Sequence, residues 1–379
     1  MKGILTGILV VLIFIAIPMQ AQAMEREETE YYIRQQMDSY DMEEIEQGFM
    51  NLFPEYGIDT DKMFFLILEG KFLEAGNVFW EGWKEEAIAE ISDMKTIVVS
   101  ILVIGIMSAL FSNFSDLFSG RQIAQAGFFF LYLFLMAVLT RTFLFVSQTA
   151  VSTMENIVLF VKLFIPTWFM AVGMASGSTT ACFYYQVMLF AAYLIESFLL
   201  VGLIPFVYSY VILALMNGIW AEDRLTLLLD FIKKGIVLAL KATMGIITGL
   251  SMVQAVIAPV IDRLKISALR KAVLAIPGIG GVAEGVAELM IGSAVLIKNS
   301  MGVLLLLLLM GACLLPLFKI LVVAGLVKLG AALTGIVSDK RIAGCTDKVG
   351  EGCLLLLRCL FTSVALFVIV IGVVAYTVK

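Results

Sequence analysis

From residue 96 to the C-terminus, apolar runs alternate with short polar or helix-breaking stretches. The runs occupy residues 96–114, 123–146, 156–174, 181–201, 203–219, 235–258, 301–315, 317–337 and 354–378. A bilayer core about 30 Å thick is crossed by about 20 apolar residues in helical form, so most of these runs read as membrane spans. Pro166 interrupts the third run, Gly202 and Pro205 mark a tight turn between the fourth and fifth, and Pro316 splits the seventh from the eighth. Residues 221–234 read as an amphipathic linker helix carrying Glu222, Asp223, Arg224, Asp230, Lys233 and Lys234. Residues 259–299 are broken: Pro277, Gly278, Gly280 and Gly281 form a breaker cluster. Residues 282–297 beyond it carry Glu284 and Glu288 and are slightly short for a span. A re-entrant or interfacial helix pair fits there, and a tilted ordinary span is the alternative. The pattern predicts an all-α, polytopic helical membrane protein with about 8–10 transmembrane or re-entrant helices, occupying residues 96–379.

The first 95 residues differ. Residues 1–23 have the form of a secretory signal peptide: Lys2, an apolar stretch over 4–17, Pro18, then Ala21-Gln22-Ala23 as a small-x-small cleavage site. An uncleaved first span is the other reading. Residues 24–95 are acidic at their start, with Tyr31, Tyr32, Ile33, Met37, Tyr40, Met42, Ile45 and Phe49 at roughly helical spacing. Phe64, Phe65, Leu68, Phe72, Leu73, Phe79, Trp80 and Trp83 then give a second, aromatic-rich amphipathic stretch. A small extracytoplasmic helical region is expected, packing on a partner or on the rest of the chain.

Composition sharpens this picture. The chain is 61% hydrophobic and 15% charged, with mean hydropathy +1.00; a soluble protein could not keep that much apolar surface from water. It has no histidine, which removes His-based acid–base chemistry, Ser-His-Asp triads and nearly all zinc and haem sites. No P-loop, dinucleotide glycine fingerprint or HExxH is present. The five cysteines form no CxxC pair; Cys182 and Cys313 lie in apolar runs, and Cys345 and Cys353, in or near one loop, could bridge if that loop is extracytoplasmic. No enzyme, cofactor, metal site or nucleic-acid partner is expected.

Charged residues inside the apolar runs are the candidate functional groups. A central Arg or Lys costs about 2.5–3.5 kcal/mol on insertion scales and usually faces protein or a watery cavity. Arg141, Lys319 and Arg358 lie near run boundaries, where snorkelling explains them. Lys162, Glu196 and Lys241 are deeper, and a buried pair of Glu196 with Lys162 or Lys241 is expected. Positive-inside counting leaves the topology open. With the N-terminal region outside, Arg121 and Lys233/Lys234 fall inside and Arg263–Lys271 outside, while Lys340, Arg341 and Lys348 change side with the status of residues 282–297.

Three segments resemble the stage III sporulation protein AE family of endospore-forming Firmicutes. They are Ile276-Pro277-Gly278-Ile279-Gly280 running on to Lys298-Asn299-Ser300-Met301-Gly302; Lys319 through Val327-Lys328-Leu329-Gly330-Ala331-Ala332-Leu333 with Asp339 and Arg341; and Phe164-Ile165-Pro166 with Ser176-Gly177-Ser178. The resemblance implies a multi-pass membrane subunit of the complex between mother cell and forespore, lodged in the mother-cell membrane. Other subunits of that complex (an ATPase, ring-forming and small membrane proteins) and membrane lipid would be its partners, with a homo-oligomer left open. The expected role is the transmembrane conduit or export gate of that secretion-like channel, with the Pro277–Gly281 segment as the moving part; a stand-alone secondary transporter is the alternative.

Overall fold

The computed structural model of the chain describes residues 42–54, 60–71, 74–77, 99–100, 103, 106–107, 121–176, 179–219, 225–273, 280–337 and 340–377. The signal-peptide segment and the 96–114 run, apart from five positions, lie outside these residues, as do Pro277, Gly278 and Cys182's side chain. Every element is helical: α1 (Met42–Leu52), α2 (Thr60–Leu68), α3 (Arg121–Ser176), α4 (Thr179–Ser197), a π-helical turn (Phe198–Leu203), α5 (Ile204–Asn217), α6 (Thr226–Val273), α7 (Gly280–Val337) and α8 (Lys340–Thr377). Among the described residues, four stretches are long and apolar enough to cross a membrane: Ala126–Phe164, Leu189–Asn217, Val295–Ile336 and Lys340–Gly372. The all-α, polytopic reading holds.

The joints differ from the sequence expectation. The 123–146 and 156–174 runs are one 56-residue helix, α3, that continues through Pro166. Likewise α7, 58 residues long, passes through Pro316 and absorbs residues 282–297, so no separate re-entrant helix forms there. Gly280 and Gly281 open α7 instead of breaking it. The linker residues 226–234 are the first turns of the 48-residue α6. Proline interrupts a helix in water because its ring and missing N–H cost about 3 kcal/mol. In an apolar bundle, unwinding would expose several backbone groups with no water to satisfy them, and the helix persists.

The expected tight turn at Gly202 and Pro205 is also absent. The chain runs helically from Thr179 to Asn217, with the π-helical turn absorbing the proline. Ile204 N–H reaches back to Leu199 O, one residue further than in an α-helix, and Pro205 follows at the first positions of α5 where no donor is needed.

Packing follows the helical period. On α3, Tyr132, Leu135, Leu139, Phe143, Val146, Ala150, Met154, Ile157, Phe160 and Phe164 are buried at spacings of three and four residues. α7 and α8, separated by two residues, form an antiparallel hairpin against which α3, α5 and α6 pack. The small α1 lies on the far part of α3: Asn156 donates from Nδ2 to Leu52 O at 2.8 Å, and Phe49 stacks edge-on to Phe160 at 5.4 Å. α2 packs on α7.

Candidate functional site

Among the described residues, two polar centres, each built on an acidic side chain, join helices inside this apolar bundle. The first gathers four helices around Glu351 of α8. Tyr210 of α5 donates to Glu351 Oε2 at 2.7 Å and Lys233 of α6 donates to Oε1 at 2.7 Å. Lys328 of α7 stands 3.9 Å from Oε1 and pairs with Asp347, one turn earlier on α8, at 2.7 Å. Neighbouring glycines let the helices close on this point. A Cβ at Gly350 would stand 2.8 Å from Lys328 Cγ, and one at Gly352 would collide with Val211 of α5. The sequence pattern places Lys233 on an amphipathic linker helix and Cys345 and Cys353 in or near one loop. Asp347 and Glu351 were missed for that reason, although their i, i+4 spacing at the start of an apolar run is a helical signal.

Below this centre the ends of the helices converge. Tyr132 of α3 donates to Leu215 O at 2.6 Å and touches Cys345 Sγ at 3.1 Å. Arg341 lies over the Phe128 ring at 3.8 Å, and Leu225 N donates to Asn217 Oδ1 at 2.9 Å. Because α7 is one helix, residues 340–348 stand at the same end as residues 225–234, which closes the count that the sequence left open. α1 grips α3 near Phe160, 28 residues and about 42 Å further along, so the two ends are roughly a bilayer apart.

The second centre is Glu196, on the last turn of α4 and completely buried. Ser363 of α8 donates to its Oε1 at 2.8 Å, and its Oε2 has no hydrogen-bond partner among the described residues. The two candidate lysines are elsewhere: both are exposed, and Lys162 sits over the Tyr193 ring at 4.7 Å. The structure thus joins Glu196 to a hydroxyl, and no ion pair with Lys162 or Lys241 forms among the described residues.

The Cys345–Cys353 bridge that an extracytoplasmic loop would have allowed does not form. Both thiols are free and buried, as are Cys313 and Cys359. Eight residues of α8 separate the pair by about 12 Å of helix rise, whereas a disulfide needs Cα atoms within about 7 Å.

A third feature is superficial. Arg141, Gln148, Ser152, Glu155 and Lys162 project along one exposed face of α3, at spacings of seven, four, three and seven residues. Arg141 and Gln148 border an open hollow of about 640 Å³ with Thr140, Leu144 and Phe145. The stripe rises about 32 Å, and all of it lies within the apolar stretch Ala126–Phe164. Arg141 and Glu155 make no ion pair among the described residues. No group of three or more His, Cys, Asp or Glu side chains among those residues could hold a metal.

Comparison with known proteins adds the following. The family model described as Stage III sporulation protein AE matches residues 58–377. Stage III sporulation protein AE of Bacillus subtilis (strain 168) is 21% identical over 260 residues, a match covering 66% of this chain and 63% of that protein's length. No solved structure matches the chain.

Proposed function

This chain belongs to the stage III sporulation protein AE family, and from that premise we propose that it is a multi-pass membrane subunit of the complex joining mother cell and forespore, with α3 forming part of the wall of its conduit. The observation that carries the conduit reading is the polar stripe on α3. Arg, Gln, Ser, Glu and Lys side chains facing lipid over most of a bilayer's thickness would cost several kcal/mol; facing water, they cost nothing. In this reading the chain is a conducting subunit and not an enzyme, and a partner such as an ATPase supplies the energy. The end bearing Lys233, Arg341 and Lys348 is cytoplasmic by the positive-inside rule, in the mother cell, and α1 lies on the opposite side.

Deletion is expected to leave growth intact and to stop spore development after engulfment. In membranes of the complemented strain, Gln148→Cys and Ser152→Cys should react with an impermeant thiol reagent, and Val201→Cys, 76% exposed on an apolar face, should not. Lys340→Cys should react only from the cytoplasmic side. Equal labelling of the three intramembrane positions refutes the conduit wall. A growth defect in cells that are not sporulating points to a stand-alone transporter.

A further inference from the structure

The strongest feature that the conduit reading leaves unused is Glu196. Its side chain is wholly enclosed; among the described residues it has one neutral donor, Ser363 Oγ, on Oε1 at 2.8 Å and nothing on Oε2. The titratable groups near it on packed helices are the thiols of Cys313 on α7 and Cys359 on α8, both fully buried; on α3, Lys162 is turned to the Tyr193 ring. A carboxyl buried with an open oxygen is costly unless something small completes it, and no metal-holding cluster surrounds it among the described residues. It also sits at a mechanically distinctive place. The π-helical turn begins two residues later and cannot propagate beyond Ile204, because Pro205 has no N–H. Such turns are frequent at functional sites, and ionisable groups within membrane helices commonly serve as proton relays.

We propose that Glu196 is a proton-exchanging carboxyl, and that the rod formed by α4, the π-helical turn and α5 responds to its loading. On uptake, a proton from water bonds to Oε2 and cancels the carboxylate charge while Ser363 still donates to Oε1. On release, the proton returns to water and the charge reappears beside the π-helical turn. The inference goes beyond the conduit reading and stands without it.

The test uses the full chain in its native membranes and dicyclohexylcarbodiimide, which adds to protonated carboxyls in apolar surroundings. Peptide mass spectrometry should find the adduct on Glu196, falling at least about tenfold from mildly acid to alkaline buffer, lost in Glu196→Gln and kept in Ser363→Ala. Glu196→Gln at normal protein level should also lower forespore gene expression about tenfold. Absence of the adduct, an adduct indifferent to pH, or normal sporulation of Glu196→Gln in a strain where deletion of the gene blocks sporulation overturns the proposal. Should Glu196→Gln fail to accumulate, labelling of the native chain decides alone; labelling as expected with normal sporulation after deletion of the gene would sink the sporulation reading and leave the proton site standing.

Discussion

Glu351 of α8 meets side chains of α5, α6 and α7 at once, and the energetic consequence can be worked out from its contacts. It accepts two short hydrogen bonds, from Lys233 and Tyr210. Hydrogen bonds involving a charged group contribute about 1.5–3 kcal/mol when buried. Here the Glu351 side chain is 25% exposed and Lys233 36%, so screening cuts the pairwise coupling to about 1–2 kcal/mol. The neighbouring Lys328–Asp347 pair has the same 2.7 Å separation with side chains 32% and 49% exposed, and belongs with surface pairs at about 0.2–1 kcal/mol. Two double-mutant cycles separate the cases: Lys233→Met with Glu351→Gln, and Lys328→Met with Asp347→Asn. Each is read by equilibrium unfolding of the purified chain in mixed micelles, with loss of helicity as the signal. The first cycle should give the larger coupling, and Tyr210→Phe should cost about 1 kcal/mol more in the native background than with Glu351→Gln already present. Equal couplings, or the reverse order, would show that the four-helix contact is not held through Glu351.

Gly352→Ala should destabilise by about 1–3 kcal/mol, because its new methyl meets Val211; Val211→Ala should restore most of the loss, and failure to do so in the same unfolding assay would displace the clash as the cause. Gly280→Ala with Gly281→Ala should strengthen the first turn of α7 by up to about 1 kcal/mol each. If the segment before α7 works as a gate, that variant keeps its protein level and loses forespore gene expression, whereas unchanged sporulation makes the segment a connector.

The apolar runs were legible because lipid and core both demand apolar side chains, and position 96 onward supplies little else. Their connections were not legible, because the same residue means different things in different solvents. Pro166, Pro205 and Pro316 read as breaks by the rules of water-soluble helices, yet each lies inside or at the start of a continuous rod. Glu196 was legible as buried, since a lone acid in an apolar run has few places to go; its partner was not. The expectation of a lysine came from charge balance, and Ser363 lies 167 positions away in a run that carries no sign of its role. The Glu351 centre failed for a related reason: its members come from α5, α6, α7 and α8, and only tertiary packing reveals that they meet.

The length of the rods bears on what must cover their apolar faces. The apolar stretches Ala126–Phe164 and Val295–Ile336 contain 39 and 42 residues, or about 58 and 63 Å of helix. A bilayer core of about 30 Å, crossed at a steep tilt of about 40°, accommodates only about 39 Å of this. The remainder is ill suited to water, because large apolar side chains such as Phe130 and Phe134 are 69% and 70% exposed on the first of these stretches. Among the described residues, α1 and α2 cover part of α3 and α7, and side chains on the outer faces of α4, α5 and α6 are exposed. At bilayer depth lipid covers such faces, and apolar length beyond that depth needs protein against it, whether from this chain or from another.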